Sequence, residues 1–175
     1  MTPRPTRTVL DLASLALLVL LVLAPQARAQ VGSPAIEFGL QGPTLDGRAF
    51  DLTAQRGRVV MVVLWRTDCA VCLNKMPELR ANALGWKSKA FDLVTLSVDS
   101  KRADADTYDR ARRLVASGAG PVWSFWQGDV RWPAAWATGA RLPVTLIFDR
   151  EGQLKARHEG RVPPDVWDEV ADLLP

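Results

Sequence analysis

The chain has 175 residues, 48% hydrophobic and 23% charged, with 22 Lys and Arg against 19 Asp and Glu and only two cysteines. That length suits one domain with a real core, and the ordinary composition, free of repeats and biased runs, excludes a fibrous or intrinsically disordered chain. Two cysteines also exclude a multi-bridge disulfide scaffold.

The first segment reads as a targeting signal. Arg4 and Arg7 precede an apolar run over residues 12–24, and Ala27 and Ala29 supply an A-x-A cleavage pattern. The run has the length of a signal-peptide core and falls short of the roughly 20 residues that cross a bilayer. Residues 1–29 are therefore expected to be a signal peptide, with residues 30–175 forming the domain. An uncleaved N-terminal anchor is the alternative, and only then is the membrane itself a partner. Both readings place the domain outside the cytoplasm, in the periplasm or secreted. Arg4, Arg7, Arg28 and Asp11 belong to this segment, so 22 basic and 19 acidic residues become 19 and 18, a net of +1. That balance gives no case for nucleic acid.

After a linker at residues 31–35, two short extended runs flank Asp46-Gly47, a dipeptide that favours a hairpin turn. Residues 59–65, "VVMVVLW", are continuously apolar and β-branched, as a strand buried on both faces should be. Leu73, Met76, Leu79, Ala83 and Leu84 then recur at helical spacing, with Pro77 expected to kink the helix. A second buried strand is expected over residues 91–99. A helix follows over residues 104–118, with Tyr108, Ala111 and Val115 on one face and Gly118 as its cap. A short extended piece at 122–125 and a short helix at 130–138 lead to a third strand at 144–149. A returning strand at 154–160 and a helix at 164–174 close the chain. Strands separated by helices imply parallel pairing, and the late hairpin adds antiparallel strands. The expected fold class is thus α/β: a central mixed sheet flanked by helices on both faces, with an N-terminal β-hairpin and a central insert.

Cys69 and Cys72 lie in "LWRTDCAVCLNKMPELR". A bond between residues three apart closes almost no loop, so it makes a poor structural clip. Cys69 falls between a strand end and a helix start, where free N–H groups and the helix dipole favour a thiolate. Cys72 is one turn on, where it can close a disulfide and resolve a mixed one. Cys69 is the expected exposed attacker, and Cys72 the more buried resolving thiol.

The segments "VVMVVLWRTDCAVCLNKMPEL", "DLVTLSVDS" and "GARLPVTLIFDREGQL" together resemble the thioredoxin superfamily, and within it the TlpA-like extracytoplasmic thiol–disulfide oxidoreductases. The resemblance spans about residues 38–174. It implies a thioredoxin-like fold and catalysis by Cys69 and Cys72. It also implies a cis bond between Leu142 and Pro143, in a loop that faces the cysteines and binds a partner's backbone. Leu142, Pro143 and Trp65 of the W-x-x-x-C-x-x-C motif are accordingly substrate-binding candidates. The implied partners are protein thiols or disulfides and a membrane-bound electron donor. The implied direction is that of a reductant, with cytochrome c maturation among the family's tasks. No cofactor and no metal are implied, because the cysteine pair carries the two electrons.

Three departures from the pattern bear on redox potential and proton handling. Asp68 stands where an aromatic residue is common, the intervening pair is Ala70-Val71, and Lys75 occupies a position where some relatives carry an acid. Asp68, Lys75 and the more distant Glu78 are the candidate pKa modulators. Residues 59–64 contain no acid at all.

Rival chemistries are weaker. A copper chaperone of related fold would pair the cysteines with a histidine, and His158 is the only one. A thiol peroxidase would use a threonine upstream of the reactive cysteine, and Thr67 is only two residues before it. Haem attachment needs a histidine where Leu73 stands. Trp126, Trp132 and Trp136 either fill the core and insert or form an apolar rim near the cysteines.

Overall fold

The computed structural model describes residues 37–115 and 121–175. The signal-peptide and linker segments and the Gly118 cap lie outside the described residues. The elements run β1 Gln41–Pro43, β2 Ala49–Asp51, β3 Val59–Trp65, α1 Ala70–Gly85, β4 Phe91–Ser97, α2 Arg102–Val115, β5 Val122–Trp126, β6 Val144–Phe148, β7 Leu154–Glu159 and α3 Val166–Leu173, with 3₁₀ turns at Leu52–Gln55 and Ala134–Trp136.

β1 and β2 form a small antiparallel hairpin whose turn places Gly47 at φ +83°, a conformation that disfavours residues with a Cβ. The main sheet has the order β5-β4-β3-β6-β7. β3, β4 and β5 are parallel, while β6 runs antiparallel to β3 and β7 antiparallel to β6. β3 is the middle strand, and all seven of its residues are buried.

Because strand side chains alternate, β3 feeds two cores. Val60, Val62 and Leu64 pack with Leu40, Phe50, Leu52, Phe125 and Trp136. Val59, Met61, Val63 and Trp65 pack with Cys72, Met76, Leu79 and Ala83 of α1 and with Val166 and Val170 of α3. Tyr108 of α2 joins this second side, its ring 4.5 Å from that of Trp65.

The expectation of helices on both faces is corrected: among the described residues, α1, α2 and α3 all pack on the second core. Successive right-handed crossovers, β3 to β4 and β4 to β5, step in one direction across the sheet and drop α1 and α2 on the same face. Among the described residues, the opposite face is covered by the hairpin and the two 3₁₀ turns.

The expected helix over residues 130–138 is a correction. Only Ala134–Trp136 turns, and Arg131 instead bridges Gln41 through two backbone hydrogen bonds of 2.9 and 2.8 Å. Pro133 explains this: it lacks an N–H and disfavours helical backbone at Trp132 before it. Trp136 is no part of an exposed rim. It is fully buried in the first core and donates its indole N–H to the Glu37 carbonyl at 3.0 Å, while Trp132 packs half-buried beside it. Replacing Trp136 with Ala is expected to cost about 3–5 kcal/mol, measurable by urea denaturation.

Candidate active site

β3 ends at Trp65, and a three-residue loop delivers Cys69 to the N-cap of α1. Cys69 has extended backbone, φ −96° and ψ 97°, and its Sγ accepts a hydrogen bond from the Cys72 N–H at 3.2 Å. The sulfur thus fills the capping role usually taken by a serine or aspartate oxygen. An N–H aimed at sulfur, with the positive end of the helix dipole, stabilises negative charge there.

Cys69 and Cys72 are joined in a disulfide with Sγ–Sγ 2.09 Å and Cα–Cα 5.2 Å. Their surroundings differ: Cys72 is 2% exposed and sits in the second core, whereas Cys69 is half-buried at its margin. An incoming sulfur can reach only the first of the two.

The Leu142–Pro143 peptide bond is cis. Leu64 pairs with Val144, so the antiparallel register sets Pro143 level with Trp65, at the sheet end from which the cysteine loop emerges. Leu142 is half-buried and packs against the same core as Cys69. The Pro143 carbonyl accepts from Gly160 N–H at 2.9 Å, but Leu142 makes no backbone hydrogen bond among the described residues. Its free amide and carbonyl suit pairing with an extended peptide.

Trp65, expected at the substrate surface, is 2% exposed and packed on Tyr108, so it supports the loop from below. Exposed Asp68 pairs with half-buried Arg66 at 2.6 Å. Lys75 pairs with Glu78 at 2.6 Å, and Glu78 also accepts from the Trp167 indole at 3.2 Å. The hydrogen bond from Lys75 holds the Glu78 carboxyl below the usual glutamate range, aided by Trp167 and opposed by slight burial. These three candidate modulators are thus each engaged with another side chain.

One site residue escapes sequence reasoning. Asp99, 3% exposed, accepts from the Thr67 N–H at 3.0 Å, the Thr67 hydroxyl at 2.8 Å and the Ser97 hydroxyl at 2.6 Å. Its own carbonyl accepts from the Trp126 indole at 2.8 Å. Asp99 clasps the cysteine loop to the end of β4. The Thr67 hydroxyl, weighed above for a peroxidase role, is donated to this clasp. The available signal was an acid closing a buried strand parallel to β3, at the level of the loop.

His158 lies on β7 with its Nε2 2.9 Å from Glu169. Among the described residues, no group of three or more His, Cys, Asp or Glu side chains is placed to hold a metal.

A two-cysteine helix cap beside a cis-proline loop, on a five-stranded mixed sheet, defines a thiol–disulfide oxidoreductase of thioredoxin-like fold. Comparison with known proteins agrees with this class. The Redoxin family profile matches residues 30–174, and the chain belongs to the Redoxin family. The thiol–disulfide oxidoreductase ResA of Geobacillus thermodenitrificans is 26% identical over 125 residues, which are 71% of this chain and 67% of that protein. Two Chlorobium tepidum structures share the fold. A thiol:disulfide interchange protein of the thioredoxin family superposes with TM-score 0.62 at 18% identity, covering 81% of this chain and 96% of that one. A second, described as DsbE, gives 0.60 at 20% identity, covering 78% and 94%.

Two outcomes follow from this geometry. Asp99→Ala is expected to cost about 2–4 kcal/mol and to speed hydrogen exchange of the Thr67 amide at least roughly ten-fold, read by denaturation and NMR. For Glu78, a carboxyl lowered on folding adds stability above the ordinary glutamate range and loses it as pH falls through the lowered value. The pair is half exposed, so Lys75→Met should lower stability at pH 7 by less than about 1 kcal/mol. It should also flatten the acid limb of a stability–pH titration.

Proposed function

We propose that this protein is an extracytoplasmic reductant of protein disulfides, with residues 1–29 as its targeting segment and residues 30–175 as its working domain. Cys69 is the nucleophile and Cys72 the resolving thiol. The single observation that carries this reading is the asymmetry of the pair: Cys69 caps a helix at the surface margin while Cys72 is 2% exposed.

In the reduced protein the Cys69 thiolate attacks one sulfur of a partner disulfide. The partner's other sulfur leaves as a thiolate and takes up a proton. Cys72 then gives up its own proton and attacks Cys69 Sγ, which closes the Cys69–Cys72 disulfide and releases the second partner sulfur as a thiol. Two electrons and two protons have moved to the partner. A membrane-bound dithiol donor restores the pair by the reverse steps. The partner segment lies extended along Leu142 and Pro143, pairing with the unengaged Leu142 backbone. Paired cysteines awaiting haem in an apocytochrome c are the substrate class that best fits this reading.

The reading is tested by trapping and by titration. Cys72→Ser should accumulate mixed disulfides through Cys69 in extracytoplasmic extracts, and Cys69→Ser should accumulate none. A glutathione-redox titration should place the pair near roughly −270 mV, whereas a value near about −120 mV would make it an oxidant.

A further inference from the structure

Thr145 is fully buried, and its hydroxyl has no hydrogen-bond partner among the described residues. Buried polar atoms are rarely left unmatched, because losing water without a replacement is unfavourable. The strand register shows which side of the sheet this residue occupies and which residues flank it. On β6, Val144, Leu146 and Phe148 point into the first core and Ile147 into the second, so Thr145 points with Ile147 toward the helical side. Its neighbour across the ladder on β3 is Val63, which shares a core with Cys72. α1 must run back over β3 to reach the parallel strand β4, so its first turn, with Cys72, stays at the Val63–Trp65 end.

On the other side, Thr145 pairs with His158 of β7. Directly opposed residues hold their Cβ atoms about 4.5–5.5 Å apart. His158 lies on the same face, and its Nε2 meets Glu169 of α3 at 2.9 Å, both partly exposed. The order from core to solvent is therefore Cys72, Thr145, His158, Glu169.

This row answers a need of the chemistry. Resolution requires Cys72 to lose a proton, and a thiol in apolar surroundings resists ionising. β3 supplies no acid to help, since its seven residues are all apolar. We propose that the Thr145 hydroxyl is the polar partner of the Cys72 sulfur in the reduced protein, and that Thr145, His158 and Glu169 carry the Cys72 proton to the surface. The hydroxyl accepts the thiol proton and passes its own to the imidazole, which delivers a proton past Glu169 to water. The sulfur, now a thiolate, attacks Cys69. No electrons move along the row; they stay with sulfur.

The charged surroundings of His158 are compatible with this. Glu169 is the group that meets it from α3, with Asp165 and Asp172 a turn to either side. On β7, Arg157 and Glu159 alternate to the opposite face and pair with each other at 2.8 Å. β6 contributes no titratable group. Thr145 and His158 act through Cys72 and are positioning residues.

This inference rests on Cys72 being the resolving thiol, and the test separates the two. Reduced protein is mixed with the aromatic disulfide 5,5′-dithiobis(2-nitrobenzoate). Attack by Cys69 releases one nitrothiobenzoate, and attack by Cys72 on the mixed disulfide releases the second. Thr145→Val keeps the shape and removes the hydroxyl. Its first phase should match wild type and its second should slow by about ten-fold or more, while its melting temperature holds or rises. Thr145→Ser should recover most of the second phase. His158→Asn should also slow the second phase alone, with added imidazole restoring it. A Thr145→Val second phase equal to wild type, or both phases slowed together, overturns the role of the hydroxyl. A His158→Asn second phase equal to wild type overturns the path to the surface. Wild-type protein that releases no nitrothiobenzoate overturns the thiol-exchange reading itself.

Discussion

The double burial of β3 is the constraint on which the molecule depends. Seven consecutive apolar residues pair with β4, five of them also with β6, and they pack on both faces, so the strand has no freedom to slide. A one-residue slip would exchange the two cores, sending Val60, Val62 and Leu64 toward α1 and Val59, Met61 and Val63 toward the hairpin. The fixed strand in turn fixes where its last residue, Trp65, ends. The cysteine loop starts from that point, and β6 delivers Pro143 to the same level through the shared register. The reactive pair and its neighbouring loop owe their placement to one strand.

A fixed start does not by itself hold a loop, and Asp99 supplies the second anchor. A buried carboxylate is tolerated only where donors surround it. Thr67 offers both its amide and its hydroxyl, and Ser97 a further hydroxyl. The clasp ties the segment before Cys69 to the end of β4, and Cys69 follows from it through its own N–H, which donates to the Arg66 carbonyl at 3.2 Å. Precision in the loop and reactivity in the sulfur are thus assigned to adjacent residues. The arrangement resembles a positioning shell around a reactive group, in which preorganisation comes from groups that do not react.

Much of this was legible in the sequence because the signals are local. The buried strands announce themselves as an unbroken apolar run at Val59–Trp65 and one broken only by Thr145 at Val144–Phe148, the Asp46-Gly47 turn as a dipeptide, and the cysteines by their spacing at a strand–helix junction. What escaped is set by tertiary contact. Residues 130–138 carry enough Ala and Trp to suggest a helix, but Pro133 and the bridge from Arg131 to Gln41 prevail. For Trp136 the sequence leaves core and rim both open, and the choice is made by Glu37, 99 residues away in the chain, whose carbonyl receives its N–H. Asp99 and Thr67 are 32 residues apart, and the orphaned hydroxyl of Thr145 has meaning only once its partners across the ladder are known. The placing of α1 and α2 on one face likewise follows from strand order, which periodicity does not encode.

The outer strands of the sheet carry one more implication. Exposed strand edges invite a second chain to extend the sheet. Here the outer edge of β5 gives its Ser124 carbonyl to the Leu45 N–H at 2.8 Å, so the hairpin loop occupies it. The opposite border, β7, reads Leu-Lys-Ala-Arg-His-Glu, and any copy adding there would have to desolvate Lys155, Arg157 and Glu159. An occupied margin on one side and a charged one on the other both work against a second copy extending the sheet.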